Sequence, residues 1–266
     1  MTLQQARGRF PDVVIGGAAG LAGGLLGVGG GFLMVPLQVI WTRTPQRRAI
    51  GNSLAAIVPI AIVGACIYYF GSRAPQLDLK VALLVMAGSS VGSAAGSRLS
   101  RNVPERSLKM LVAVLLVLAA VKELHDGLLG GLQGSGDVTL GLGADALIVV
   151  GGLAVGTISG LTGVGGGVLL VPMLVLGFGI GQRVAQGTSL LAILPNALIG
   201  SAIHRRHGDV DVGESGRMML GGVPGALAGA ALALWLPQRL LATLFGLLLA
   251  GMAVRMWPRR DESIPA

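Results

Sequence analysis

Two polar triplets, Gly51-Asn52-Ser53 and Gly187-Thr188-Ser189, open apolar stretches, and each is preceded by a glycine cluster, Gly29-Gly30-Gly31 or Gly165-Gly166-Gly167. Asn52, Ser53, Thr188 and Ser189 carry uncharged donors and acceptors, which are costly in an apolar stretch unless something engages them. The glycine clusters are followed five residues on by Pro36 and Pro172. In a helix, glycine costs about 1 kcal/mol and interior proline about 3 kcal/mol relative to alanine. A chain that does this twice, at matched positions, needs a broken backbone there. A helix restarting at Gly31 or Gly167 would aim free N–H groups and the positive end of its dipole at a ligand. Lacking Cβ atoms, the glycines would let a small ligand approach the backbone. Backbone N–H groups beside neutral side-chain donors suit an oxyanion, and these ten residues form the candidate substrate-binding set. Two plainer readings compete: close helix packing for the glycines and helix capping for Asn, Thr and Ser. Asn196, after Pro195, is a further polar candidate; its counterpart Ile60 would make any site asymmetric.

The other residues narrow the chemistry. The chain lacks a GxxxxGK[ST] phosphate loop and the GxGxxG, HExxH and GxSxG signatures. With no nucleophile–base pair, it does not read as an enzyme, and no metal or cofactor is expected. No Asp or Glu is read as lying deep in an apolar stretch; Asp12, Asp78 and Glu214 fall at edges. A transported cation or a proton relay would want such a carboxylate, so an anion is favoured. Arg47, Arg48 and Arg183 flank the triplets and either attract that anion or set topology. His125, His204 and His207 lie in or beside loops without metal-site spacing. Cys66, the single cysteine, excludes an intrachain disulfide and is read as a small buried apolar side chain.

The elements that must hold these residues are membrane helices. Of 266 residues, 53% are apolar and 12% charged, against roughly a quarter charged in soluble domains; the mean hydropathy is +0.77. Apolar runs of about 20 residues read as membrane spans. They are continuous instead of alternating, which disfavours a β-barrel. The net charge of +8 belongs to loops facing anionic lipid. Aromatics make up only 4% and do not interleave with basic residues, so nucleic acid is not a partner. Arg7 and Arg9 before an apolar run resemble a signal peptide. That run continues into the glycine motif, so it is read as a retained membrane segment.

The chain is a duplication. Gly27 to Pro36 recurs as Gly163 to Pro172 at a shift of 136 residues, which also aligns Gly51 with Gly187, Ser53 with Ser189 and Pro59 with Pro195. Beyond the next loop the shift is 133, aligning Asp78 with Asp211, and Gly88, Gly92 and Gly96 with Gly221, Gly225 and Gly229. The last six glycines, four residues apart, read as packing faces. The organisation is a first repeat (1–125), a Gly/Asp-rich extracytoplasmic linker (126–143) and a second repeat (144–266). Each repeat has four apolar stretches, the first too long for one span. If each long stretch crosses once, Lys and Arg divide 11 to 9 across the membrane. If each is a hairpin that enters and leaves on one side, 15 of the 20 fall on the cytoplasmic side. The positive-inside rule prefers the hairpin. A hairpin plus three spans is an odd number of crossings, so the second repeat is inverted, an arrangement common in alternating-access transporters. Both termini are then cytoplasmic.

The motif GGLLGVGGGFLMVP, its repeat GLTGVGGGVLLVP, the following G-N-S and G-T-S, and the later glycine-spaced helices resemble the TauE/SafE sulfite exporter family over essentially the full chain. The resemblance implies a multi-pass secondary transporter of the bacterial inner membrane. It would export a small sulfur-containing oxyanion such as sulfite, a sulfonate or sulfoacetate. A passive small-anion channel and uptake instead of export are the alternatives. The partners implied are the small anionic substrate and the lipid bilayer, with room for a homodimer. Cys66 has no cysteine counterpart in the other repeat, which argues against thiol-based sulfur chemistry.

Overall fold

The computed structural model describes residues 9–99, 105–129, 142–162 and 166–256. The helices are α1 (Arg9–Leu26), α2 (Gly31–Leu37), α3 (Gln46–Phe70), α4 (Leu79–Leu99), α5 (Glu105–Leu129) and α6 (Leu142–Thr162). They are followed by α7 (Gly167–Pro172), α8 (Gln182–Ala192), α9 (Leu194–Arg206), α10 (Val212–Trp235) and α11 (Gln238–Met256). No strand occurs among the described residues, and six stretches are long and apolar enough to cross a membrane.

The glycine clusters do break the backbone. Gly27, Gly29 and Gly30 adopt φ of 73°, 74° and 82°, a left-handed conformation that side chains with a Cβ disfavour. α1 stops before them, and α2 restarts with Gly30 at its N-cap. The chain turns back on itself: a Cβ on Gly30 would lie 2.4 Å from the Ala19 carbonyl. In the second half Gly166 (φ 68°) precedes α7 in the same way, and Met173 returns to pack against Gly151 of α6. Gly165 lies outside the described residues. Each short helix widens after its proline into a π-helical turn, Gln38–Thr42 or Met173–Gly177. Proline lacks the N–H that would close the normal bond to residue i−4, which favours such widening.

The halves are interleaved. The first helix of each packs most closely on the third long helix of the other, α1 on α10 and α6 on α4, while α5 packs on α11 and α3 on α8–α9. The spaced glycines make these seams. A Cβ on Gly16 or Gly20 would sit 2.1 Å from the carbonyls of Met218 or Gly222, and one on Gly221 or Gly229 would sit 2.0 or 2.1 Å from those of Val13 or Leu21. In the other seam, Gly88 and Gly92 would each meet a carbonyl, of Val149 and Leu153, at 2.1 Å. Glycine thus permits backbone-to-backbone approach, as small-residue faces do in membranes. The register gives helix directions. α1 and α10 run parallel, as do α4 and α6. α5 and α11 run antiparallel, with Gly127 beside Thr243 and Gly246 beside Leu124. α3 and α8–α9 are also antiparallel, with Gly64 against Leu190 and Gly200 against Leu54.

Two sequence expectations are corrected. Cys66 is exposed, on the same outer stripe of α3 as Ile62, Tyr69 and Phe70. An apolar run that faces lipid looks, in sequence, like one that faces protein. A carboxylate also lies deeper than expected. α5 continues past Leu124 to Leu129, and Glu123, 1% exposed, is on its buried stripe.

Candidate functional site

The two glycine breaks meet. A Cβ on Gly167 would lie 2.8 Å from the Val28 carbonyl, so the restart of α7 touches the turn between α1 and α2. Gly29 packs against the side chains of Ile57 and Ile193, and Gly31 against Ile57. Ile57 and Ile193 are repeat equivalents, each one turn beyond the serine of its triplet. The contact between the halves is therefore apolar where the breaks touch, with polar side chains one turn away on either side.

On the first side, Asn52 lies completely buried on α3. Its Oδ1 accepts from the backbone N–H of Asp211 at 2.7 Å, and its Nδ2 donates to Glu214 Oε2 at 2.7 Å. Gln38, in the π turn and 1% exposed, donates from Nε2 to Ser53 Oγ at 2.9 Å and to the carbonyls of Met34 and Ala49 at 3.2 Å. Charges surround this patch. Arg48 pairs with Asp211 at 2.5 Å and lies 4.0 Å from Glu214, and Arg217 pairs with the buried Asp12 at 2.8 Å. Asp211 also caps α10, accepting from the N–H groups of Gly213 and Glu214. The Glu214 N–H above all, then that of Gly213 and the charges of Arg48 and Arg217, hold its carboxyl below the usual carboxylate range against a smaller opposing effect of burial.

On the other side, Thr188 Oγ1 accepts from the backbone N–H of Asp78 at 3.0 Å, and Asp78 Oδ1 in turn accepts from Val81 N–H at 3.0 Å. Asp78 is the repeat equivalent of Asp211. The triplet glycines match as well: a Cβ on Gly51 would lie 2.6 Å from the Asp209 carbonyl, and one on Gly187 would lie 2.2 Å from that of Gln76. Each triplet is thus a socket for the loop that starts the third long helix of the opposite half. Glycine admits the loop carbonyl, and Asn52 or Thr188 takes the N–H two residues on. The capping alternative was close to this, but the capped backbone belongs to another helix.

The second side keeps donors free. Ser189, completely buried, has no hydrogen-bond partner for its Oγ among the described residues, whereas its counterpart Ser53 is engaged by Gln38. Gln186 lies one turn before Leu190 on α8 and packs directly on the first break, where a Cβ on Gly27 would be 2.4 Å from its Cα. Tyr68 Oη donates within reach of Gln186 Oε1 at 3.2 Å and of the carbonyls of Gly24 and Leu25 at 3.1 and 3.3 Å. Tyr68 thereby engages carbonyls at the interrupted end of α1, which have lost their intrahelical partners. It also orients the Gln186 amide, leaving Nε2, fully buried, without a partner among the described residues. The side chain of Gln182, one turn earlier and 5% exposed, is likewise unpartnered. Buried polar atoms normally find partners, so a row of neutral donors at 182, 186 and 189 has capacity for a polar guest.

The structure brings Gly29, Gly31 and Gly167 to the meeting of the halves. Gly30 and Gly166 set the left-handed turns, and Asn52, Ser53 and Thr188 are engaged by protein groups. Gln186, Gln182, Tyr68 and Gln38 were missed. Their repeat counterparts are Ile50, Gln46, His204 and Leu174, so Gln186 and Gln38 have no polar twin to mark them. Gln182 and Gln46 do match, and that pair was a usable signal. Asn196 Nδ2 reaches Ser89 Oγ at 3.3 Å, a contact between α9 and α4. No cluster of His, Cys, Asp and Glu suited to a metal occurs among the described residues.

A multi-pass helical protein with breaks meeting at its centre belongs to the transporter class, and sequence comparison places it. The family described as sulfite exporter TauE/SafE matches residues 2–123 and 148–265, and the chain belongs to that family. It is similar to the probable membrane transporter protein YunE of Bacillus subtilis, 29% identical over 75% of this chain and 79% of that one. It is also similar to YdhB of the same organism, 28% identical over 82% and 88%. A probable membrane transporter protein of Xylella fastidiosa is 28% identical over 94% of this chain and 95% of its own. The chain is a membrane transporter.

Proposed function

We propose that this transporter carries a small sulfur-containing oxyanion, such as sulfite or a sulfonate, out across a bacterial inner membrane by alternating access between two inverted repeats. The observation that carries the reading is the unpartnered Gln186 amide, buried at the first glycine break. It is a neutral donor, as is the Ser189 hydroxyl one turn on. An anion gains hydrogen bonds there without meeting a carboxylate, and the first N–H groups of α2 and α7 add donors of the same sign. The antiparallel courses of α5 with α11 and of α3 with α8–α9 support inversion, because these are repeat-equivalent helices. Inversion, with the charge bias counted above, favours cytoplasmic termini. Ion pairs tie the halves on both sides, Arg48–Asp211 and Arg217–Asp12 on the Asn52 side and Lys80–Asp145 beside Asp78 on the Thr188 side, and alternating access would part them one side at a time.

Reconstituted protein tests this. Sulfite-loaded proteoliposomes should show saturable sulfite flux and sulfite exchange. Gln186→Leu should lower the flux at least tenfold while the protein stays folded. Wild-type protein that moves neither sulfite nor a sulfonate would sink the reading, and flux that never saturates would favour a channel.

A further inference from the structure

Glu123 has no part in the site just described, yet it is 1% exposed and its Oε1 has no hydrogen-bond partner among the described residues. It lies on the buried stripe of α5 that runs through Val112, Leu116, Ala119 and Ala120 and on to Gly127. The same stripe, at Val112 and Leu116, lines a small cavity of about 10 Å³ with Met252 and Met256 of α11 and with Gly166 at the second break. Nearby charges are committed elsewhere. On α5, the exposed Lys122 pairs with Asp126 at 2.6 Å, and His125 also contacts Asp126. On α11, Arg239 and Arg255 are exposed. On α6, Asp145 pairs with Lys80, and α7 carries no ionisable side chain. A buried carboxyl without a counter-charge requires a cation of its own. Sodium would want several oxygen ligands, and no acidic cluster supplies them among the described residues; a proton needs only the carboxyl.

We propose that Glu123 is the proton-binding site that couples transport to the proton gradient. The proposal rests on the transport reading above for its cargo, but the proton site is separately measurable. With the proton on, the α5–α11 interface is neutral and packs as observed. When the O–H bond breaks and the proton passes to water, the remaining carboxylate cannot stay in an apolar interface. α5 and α11, the last helices of the two halves, must then shift relative to each other. Binding and release of one proton thus bias a motion that alternating access requires.

The test compares wild type with Glu123→Gln, which keeps the size and neutrality of the protonated side chain. In purified protein, infrared difference spectra between acid and alkaline pH should show a protonated-carboxyl C=O band that Glu123→Gln removes. In proteoliposomes, an imposed pH gradient should drive sulfite accumulation by wild type. Glu123→Gln should lose that accumulation at least tenfold while retaining sulfite exchange at equal pH. Sodium dependence of the flux, a carboxyl band that survives Glu123→Gln, or undiminished gradient-driven accumulation by Glu123→Gln overturns the proposal. Absence of any sulfite flux in wild type counts against the cargo alone, and the infrared band still decides the proton site.

Discussion

The hydroxyl of Thr188 accepts the backbone N–H of Asp78 at 3.0 Å, and this bond is the image of one made by its repeat counterpart, Asn52 with Asp211 at 2.7 Å. The Asn52 socket carries more. Asn52→Ala strands both the Asp211 N–H and the Glu214 carboxylate, whereas Thr188→Val strands one N–H. A buried group left unpaired costs about 1–3 kcal/mol. Thermal unfolding in detergent should therefore show a larger loss for Asn52→Ala than for Thr188→Val; the reverse order would mean that Asn52 is not the main tie between α3 and α10.

Acid should loosen the same socket. The Asp211 carboxyl titrates below the ordinary carboxylate range when folded. Its contribution is thus fully present above the unfolded value of about 3.9 and is lost as the pH falls through the lowered folded value. The melting temperature of wild type should drop below about pH 4, and Asp211→Asn should flatten part of that drop while lowering stability at neutral pH. An unchanged acid limb would exclude Asp211 as its source.

The two triplet serines should separate structure from transport. Ser53 receives the Gln38 amide, so Ser53→Ala should cost about 1 kcal/mol of stability. Ser189 Oγ has no partner among the described residues, so Ser189→Ala should leave stability within about 0.5 kcal/mol. It should instead raise the KM for sulfite about fivefold, the equivalent of about 1 kcal/mol of lost hydrogen bonding. Equal effects of the two substitutions on stability and flux would contradict the assignment.

Glycines on the seams should differ sharply from a glycine elsewhere on a helix. Gly92→Ala would push a methyl group to 2.1 Å from the Leu153 carbonyl, while Gly251 of α11 has open space around it. Overpacking costs about 1–3 kcal/mol, and relief from helical glycine gains about 0.5–1 kcal/mol. Gly92→Ala should lower the melting temperature and Gly251→Ala should raise it slightly.

Much of the architecture was legible because the duplication repeats its irregularities. Gly29–Gly31 and Pro36 return with Gly165–Gly167 and Pro172, and only a backbone that must break tolerates both twice. The spaced glycines of α4 and α10 could be read as packing faces for the same reason. The donors were harder to read. Gln186 and Tyr68 matter because the fold sets them against the end of α1, Tyr68 from another helix and Gln186 from the other half, and Gln186 has no polar twin at the matching position. Glu123 escaped because three charged residues close together, Lys122, Glu123 and Asp126, looked like the end of a span. Helical periodicity turns Lys122 outward, where it pairs with Asp126 at i, i+4, and turns Glu123 inward.

The glycine seams carry an evolutionary consequence. Each runs between a helix of one half and a helix of the other, so a half standing alone would expose two bare backbone grooves. On the inverted-repeat reading proposed above, a second copy inserted upside down would cover them. Before the halves were joined, the ancestral unit would have had to insert in both orientations and assemble as an antiparallel pair. The requirement persists in the modern chain: segments 1–125 and 144–266, expressed separately, should be degraded alone and recovered as a stable complex when made together.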